Sequence, residues 1–106
     1  MNNVELDKII ENITLNVINV GTKQINYYII EKLPTDVKTI SQETGLTKVP
    51  VNNHINELEK YGLLKRDKGT GKVYPTELTF YFKSLIKEIE KQVKNNISTM
   101  LPNMVN

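Results

Sequence analysis

A chain of 106 residues, 39% hydrophobic and 25% charged, has an ordinary globular composition and is long enough for one modest core. The absence of cysteine excludes disulfides, thiolate catalysis and cysteine-based metal or redox sensing, and a lone histidine argues against a zinc site. The net charge of +2 is unevenly spread: residues 1–46 carry four lysines and six acids, whereas Lys60, Lys65, Arg66, Lys68 and Lys72 face only Asp67 within residues 60–74. No apolar run approaches the roughly 18–20 residues of a membrane span. The start Met1-Asn2-Asn3-Val4-Glu5 has no signal-peptide layout, so a cytoplasmic protein without a membrane partner is expected.

From Val4 to Val20, Leu6, Ile9, Ile10, Ile13, Val17 and Val20 recur at three- and four-residue spacing and predict a helix. Gly21 and Thr22 end it. Lys23 to Leu33 follows as a second helix with Ile25, Tyr28, Ile29 and Leu33 inward. Pro34 separates it from a third helix starting near Asp36, with Thr35 the expected cap and Val37, Ile40 and Thr44 inward. Gly45 supplies the left-handed residue that ends this helix, and Leu46 folds back into the core. Thr47 is placed to cap a fourth helix, Lys48 to Tyr61, with Pro50 in its first turn where no N–H is needed. Helix, tight turn and helix form a helix-turn-helix, whose second helix can enter a DNA major groove.

On that fourth helix Val51, His54, Ile55 and Leu58 share one face. Val49, Asn52, Asn53, Asn56 and Lys60 fall on the other. Amides are the bidentate partners of adenine, and an exposed valine can touch a thymine methyl. His54, between Val51 and Leu58, reads as a packed or boundary histidine, because no second ligand stands at metal spacing. Leu63 to Asp67 and Lys72 to Tyr74 then read as a hairpin around Lys68-Gly69-Thr70-Gly71, a wing tipped with basic residues. Gly-Thr-Gly-Lys lacks the full phosphate-loop spacing. Phe80 to Leu101 predicts a long final helix, capped by Thr79 and stopped by Pro102, with Phe82, Leu85, Ile86, Ile89, Val93, Ile97 and Met100 in its apolar stripe.

The terminal stripes are longer than a compact winged domain needs, which predicts a homodimer built on Ile9, Ile13, Val17, Phe82, Ile86, Ile89, Val93 and Ile97. The expected fold is mainly α with a small β-hairpin wing. It is a winged helix-turn-helix with long N- and C-terminal dimerisation helices, one domain over 1–106: helix 4–20, winged core 22–79, helix 80–101.

Residues 22–79 resemble the winged helix-turn-helix of the ArsR and MarR superfamily of prokaryotic DNA-binding proteins. The likeness rests on Gly45-Leu46-Thr47, Val51-Asn52-Asn53-His54-Ile55, Leu58-Glu59-Lys60-Tyr61-Gly62-Leu63-Leu64 and the closing Leu78-Thr79. It implies DNA-facing positions at Thr47, Lys48, Val49, Pro50, Asn52, Asn53 and Asn56, and wing contacts at Lys65, Arg66, Lys68 and Lys72. Lys60 extends the phosphate-contacting set. Pro50 and Asn53 depart from the family's usual Thr or Ser and Arg, so no base preference carries over. The metal or thiol sensors of many ArsR-like repressors have no counterpart, and no cofactor or enzyme site can be assembled. Two roles on double-stranded DNA follow: a transcriptional regulator, or the adaptor of a plasmid or phage partition system whose partner is a tubulin-like GTPase.

Overall fold

The structure, a computed structural model, describes residues 2–104. Its elements are α1 (Asn3–Gly21), α2 (Gln24–Lys32), β1 (Thr35–Asp36), α3 (Val37–Thr44), α4 (Lys48–Lys60), β2 (Lys65–Arg66), β3 (Lys72–Tyr74), α5 (Glu77–Asn95) and α6 (Ile97–Met104). The chain is mainly helical, with one small antiparallel sheet in the order β1-β3-β2. Thr35 pairs with Val73 and Asp36 with Lys72, while Lys65 and Arg66 pair with Tyr74 and Val73. The sheet therefore ties the wing to the start of α3.

Ile29, Val51, Ile55, Leu58, Leu63 and Val73 are completely inaccessible, and Ile30, Ile40, Leu64, Val20 and Phe82 complete the core. Gly45 ends α3 at φ 76°, where a Cβ would be strained, and its N–H closes on Ser41 O at 2.9 Å. Leu46, half-buried against the core, makes the turn compact.

Several sequence expectations change here. Thr35 is not the α3 cap: its backbone is used by the β1–β3 ladder, and the Asp36 carboxylate accepts from Thr39 N–H at 2.7 Å instead. That bond holds the Asp36 carboxyl below its ordinary range. Thr47 occupies the α4 cap position with extended backbone but makes no side-chain cap bond. The inward face of α2 is Asn26, Ile29 and Ile30, whereas Tyr28 turns to donate to Glu43 on α3. The cap of α5 is Thr76, and Thr79 is its reciprocal partner: Thr79 Oγ1 accepts from Thr76 N–H at 2.8 Å and donates to Leu63 O at 2.7 Å. This box anchors the start of α5 to Gly62 and Leu63, just after α4.

The final helix breaks at Asn96 rather than at Pro102. The Asn96 carboxamide bonds back to Gln92 O at 2.8 Å and its backbone leaves the helical region, so α6 starts afresh and carries Pro102 inside it. Val105 and Asn106 lie outside the described residues.

Phe82 is the keystone between core and arms. Its ring meets Tyr27 edge-on at 6.4 Å, and a Cβ on Gly21 would come within 2.5 Å of it, so only glycine lets α1 pass this close. Beyond this contact α1 and α5 leave the core: residues 3–16 and 87–99 are exposed throughout. The radius of gyration is accordingly 16.5 Å, against about 13 Å for a compact chain of this length.

Candidate nucleic-acid interface

Because Val51, Ile55 and Leu58 are fully buried, α4 has no freedom to roll. Val49, Asn53, Asn56 and Lys60, spaced by four, three and four residues, must share the outward face, and all four are exposed. Val49 stands 70% exposed at the leading end of this face, next to Thr47 and Lys48.

A buried polar network fixes the helix from behind. The Asn26 side-chain amide donates to Val20 O at 3.0 Å and to Glu57 Oε1 at 2.7 Å, which uses both of its hydrogens. Its Oδ1 must therefore accept, and His54 Nδ1, 2.8 Å away, carries the proton. Lys23 Nζ pairs with Glu57 Oε2 at 3.0 Å. The bonds from Asn26 first, then Lys23, hold the Glu57 carboxyl below its usual range. His54 is thus the boundary histidine that the sequence implied, tying α4 to Asn26 on α2, which in turn holds the end of α1.

The wing loop is organised by Asp67. Its carboxylate accepts from Thr70 Oγ1 at 2.8 Å and Gly69 N–H at 2.9 Å, which lowers the Asp67 pKa, while Gly71 N–H closes on Asp67 O at 2.7 Å. The Gly-Thr-Gly-Lys segment is therefore a hairpin turn. Lys65, Lys68 and Lys72 stand exposed around it. Between the wing and the start of α4 lies a groove of about 430 Å³ lined by Asp36, Lys38, Lys48, Asn52, Thr70 and Lys72, among others.

Three expected contact residues are differently placed. Arg66 does not reach outward: its guanidinium donates to Asn52 Oδ1 and Asn56 Oδ1, each at 3.0 Å, and its backbone N–H donates to Glu59 Oε2 at 3.1 Å. Asn52 is half-buried and engaged at both ends, because its amide nitrogen also donates to Lys48 O at 3.0 Å. Pro50 is half-buried in the first turn. Of the expected dimer residues, Ile9, Ile13, Ile89, Val93 and Ile97 are exposed, whereas Val17 and Ile86 pack partly on the core. Phe82 is a correction: at 3% exposed it belongs to its own core and has almost nothing left to offer a partner.

Sequence reasoning missed Lys38, because its approach to Lys48 and Lys72 exists only once β1 pairs with β3. It also missed the buried Asn26, whose type argues for the surface. Among the described residues no group of three or more metal-binding side chains gathers, and no helix is long and apolar enough to cross a membrane.

No family model and no curated protein matches the sequence. Among solved structures, a MarR/EmrR family transcriptional regulator from Acinetobacter sp. ADP1 superposes with a TM-score of 0.50 at 16% identity, over 88% of this chain and 77% of that one. A MarR-like transcriptional regulator from Thermotoga maritima superposes with a TM-score of 0.49 at 20% identity, over 100% and 99%. At such identity the Acinetobacter likeness shows fold alone. The chain is mainly helical with a small antiparallel sheet, a winged-helix fold that it shares with that Acinetobacter protein.

Proposed function

We propose that this protein binds double-stranded DNA sequence-specifically as a homodimer and acts as a transcriptional regulator. In this reading α4 enters the major groove and the β2–β3 wing lies on the backbone. The observation that carries it is the division of α4 into a fully buried apolar face and an exposed face of Val49, Asn53, Asn56 and Lys60, set beside Lys65, Lys68 and Lys72. Amides and an uncovered valine match base edges, and clustered lysines match phosphates. An outward helix face with three amide or apolar side chains gains nothing from water that Glu and Lys would not supply better.

The arms support the dimer. Ile9 and Ile13 on α1, with Ile89, Val93 and Ile97 on α5 and α6, are exposed large apolar side chains on helices that have left the core. Burying each such side chain contributes about 1.5–3 kcal/mol, which a second copy can supply through a two-fold interface. A two-fold dimer presents two α4 helices to half-sites one turn of DNA, about 34 Å, apart. The regulatory role is favoured because the Acinetobacter protein of the same fold is a transcriptional regulator.

The test is a titration onto duplexes bearing one selected site and several in-phase sites. A regulator fills separate sites independently with equal affinity. Steep cooperative loading on the array would indicate a partition adaptor, which must build a platform for a tubulin-like filament, and would overturn the regulatory half of the proposal. Absence of any preference for the selected duplex would overturn the whole.

A further inference from the structure

The Arg66 clasp decides which way two of the interface amides face. Asn52 and Asn56 lie four residues apart on α4, so one planar guanidinium can span them, and its two terminal nitrogens do so, each at 3.0 Å. Arginine has N–H donors and no acceptor. Only the Oδ1 end of an amide can face it, since the reverse orientation would set –NH2 against a cation's N–H. For Asn52 the orientation is doubly fixed, because Nδ2 donates to Lys48 O. For Asn56 it is set by Arg66 alone among the described residues. Among the described residues no carboxylate forms an ion pair with the guanidinium within 4.0 Å, so its two terminal nitrogens are left to the amides. The wing root is held to the helix by the Arg66 N–H to Glu59 bond, which keeps the guanidinium in place.

We propose that Arg66 is a positioning residue that sets the hydrogen-bond polarity of the reading face: Asn56 is presented as a donor, and Asn53 is left as the amide free to donate and accept. This rests on the reading of α4 as the DNA-entering helix. A donor end backed by a cation favours base edges that accept, namely guanine O6 and N7 or thymine O4. Adenine's bidentate pairing also needs an acceptor for its N6 amine, and Asn56 Oδ1 already spends one of its two lone pairs on the guanidinium, whose charge beside it disfavours a second donor. Asn53, exposed and without a hydrogen-bond partner among the described residues, retains the adenine-type pairing. Sequence alone places three equivalent amides on one face; the clasp makes them unequal.

The experiment selects bound duplexes from a randomised library with wild type, R66M and R66K, each first shown folded by its amide NMR spectrum. The wild type is expected to exclude adenine at the Asn56 position by at least about fivefold. R66M, which frees Oδ1, should bring that ratio near unity while preferences elsewhere in the site hold. R66K keeps the charge but loses the fork, so it should relax the same position while retaining more affinity for random DNA than R66M. In the free wild-type protein, the Asn56 side-chain amide should be rigid by ¹⁵N relaxation and become mobile in both variants. An unchanged base preference with uniformly weakened binding would overturn the proposal and make Arg66 a backbone contact. A mobile Asn56 amide in wild type would overturn it without touching the DNA-binding reading. Failure of wild type to bind any duplex, with the rigid amide present, would overturn the DNA reading itself and the proposal with it.

Discussion

The winged core and the terminal arms use the same isoleucines, leucines and valines to opposite ends. In the core, Ile29, Val51, Ile55, Leu58 and Leu63 are wholly enclosed by neighbours from the same chain. In the arms, Ile9, Ile13, Ile89 and Ile97 recur just as regularly yet stay 40–52% exposed, because those parts of the terminal helices lie outside the core. A helical stripe states that a face wants cover; it does not state whose. The core is self-sufficient, and the arms leave a surface that a second copy can complete.

The sharpest way to break this contrast is to truncate one apolar side chain on each side of it. Leu58→Ala should destabilise the fold by about 2–5 kcal/mol, as large-to-small changes in closed cores do. Ile13→Ala should leave the stability of dilute monomer within about 0.5 kcal/mol of wild type. Urea unfolding at low concentration measures both, and equal losses would mean that α1 packs on its own core. A somewhat smaller effect is expected from Ile89→Glu, which places an unpaired carboxylate in the proposed interface and should weaken association by more than about 2 kcal/mol. Sedimentation should show wild type at twice the 12.2 kDa chain mass and the variant at that mass. A stable wild-type monomer would remove the dimer.

The smallest expected effect sharpens the account of what holds α4 in place. Glu57 has its folded pKa depressed below the ordinary 4.5 by Asn26 and Lys23. Its contribution is therefore fully present above about pH 4.5 and is lost as pH falls through the lower folded value. Glu57→Gln keeps an acceptor for Asn26 but removes the titration. The stability gap between wild type and E57Q should be constant from pH 7 to 5 and narrow below 4.5. A gap that widened on acidification would contradict the depressed pKa.

The helix-turn-helix was legible because its signals are local. Gly45-Leu46-Thr47 marks a turn within three residues, and Val51, Ile55 and Leu58 mark a face within three turns. What escaped depended on partners far along the chain. β1 is a two-residue strand with no alternation to read, and it exists only because Val73 lies beside Thr35. Two cap assignments slipped to a nearby residue, from Thr35 to Asp36 and from Thr79 to Thr76, where the pairing of Thr35 with Val73 and the bond of Thr79 to Leu63 O made the choice. The charge of Arg66 could be counted from sequence, but its turn towards residues ten and fourteen positions earlier could not. Phe82 lay on the same stripe as Ile86 and Ile89, and only the close passage of Gly21 assigned it to its own core.

The central claim is that the outward face of α4 reads sequence while the wing holds the backbone. It is tested most directly by measuring Asn53→Ala and the double change Lys68→Ala with Lys72→Ala on a selected duplex and on random DNA, across a range of salt. Loss of Asn53 should cost about 1–3 kcal/mol on the selected duplex and almost nothing on random DNA. Loss of the two lysines should weaken both equally and flatten the salt dependence by about one unit of slope for each phosphate contact removed. Equal loss of all binding from both variants, with the fold intact, would contradict the division of labour between helix and wing.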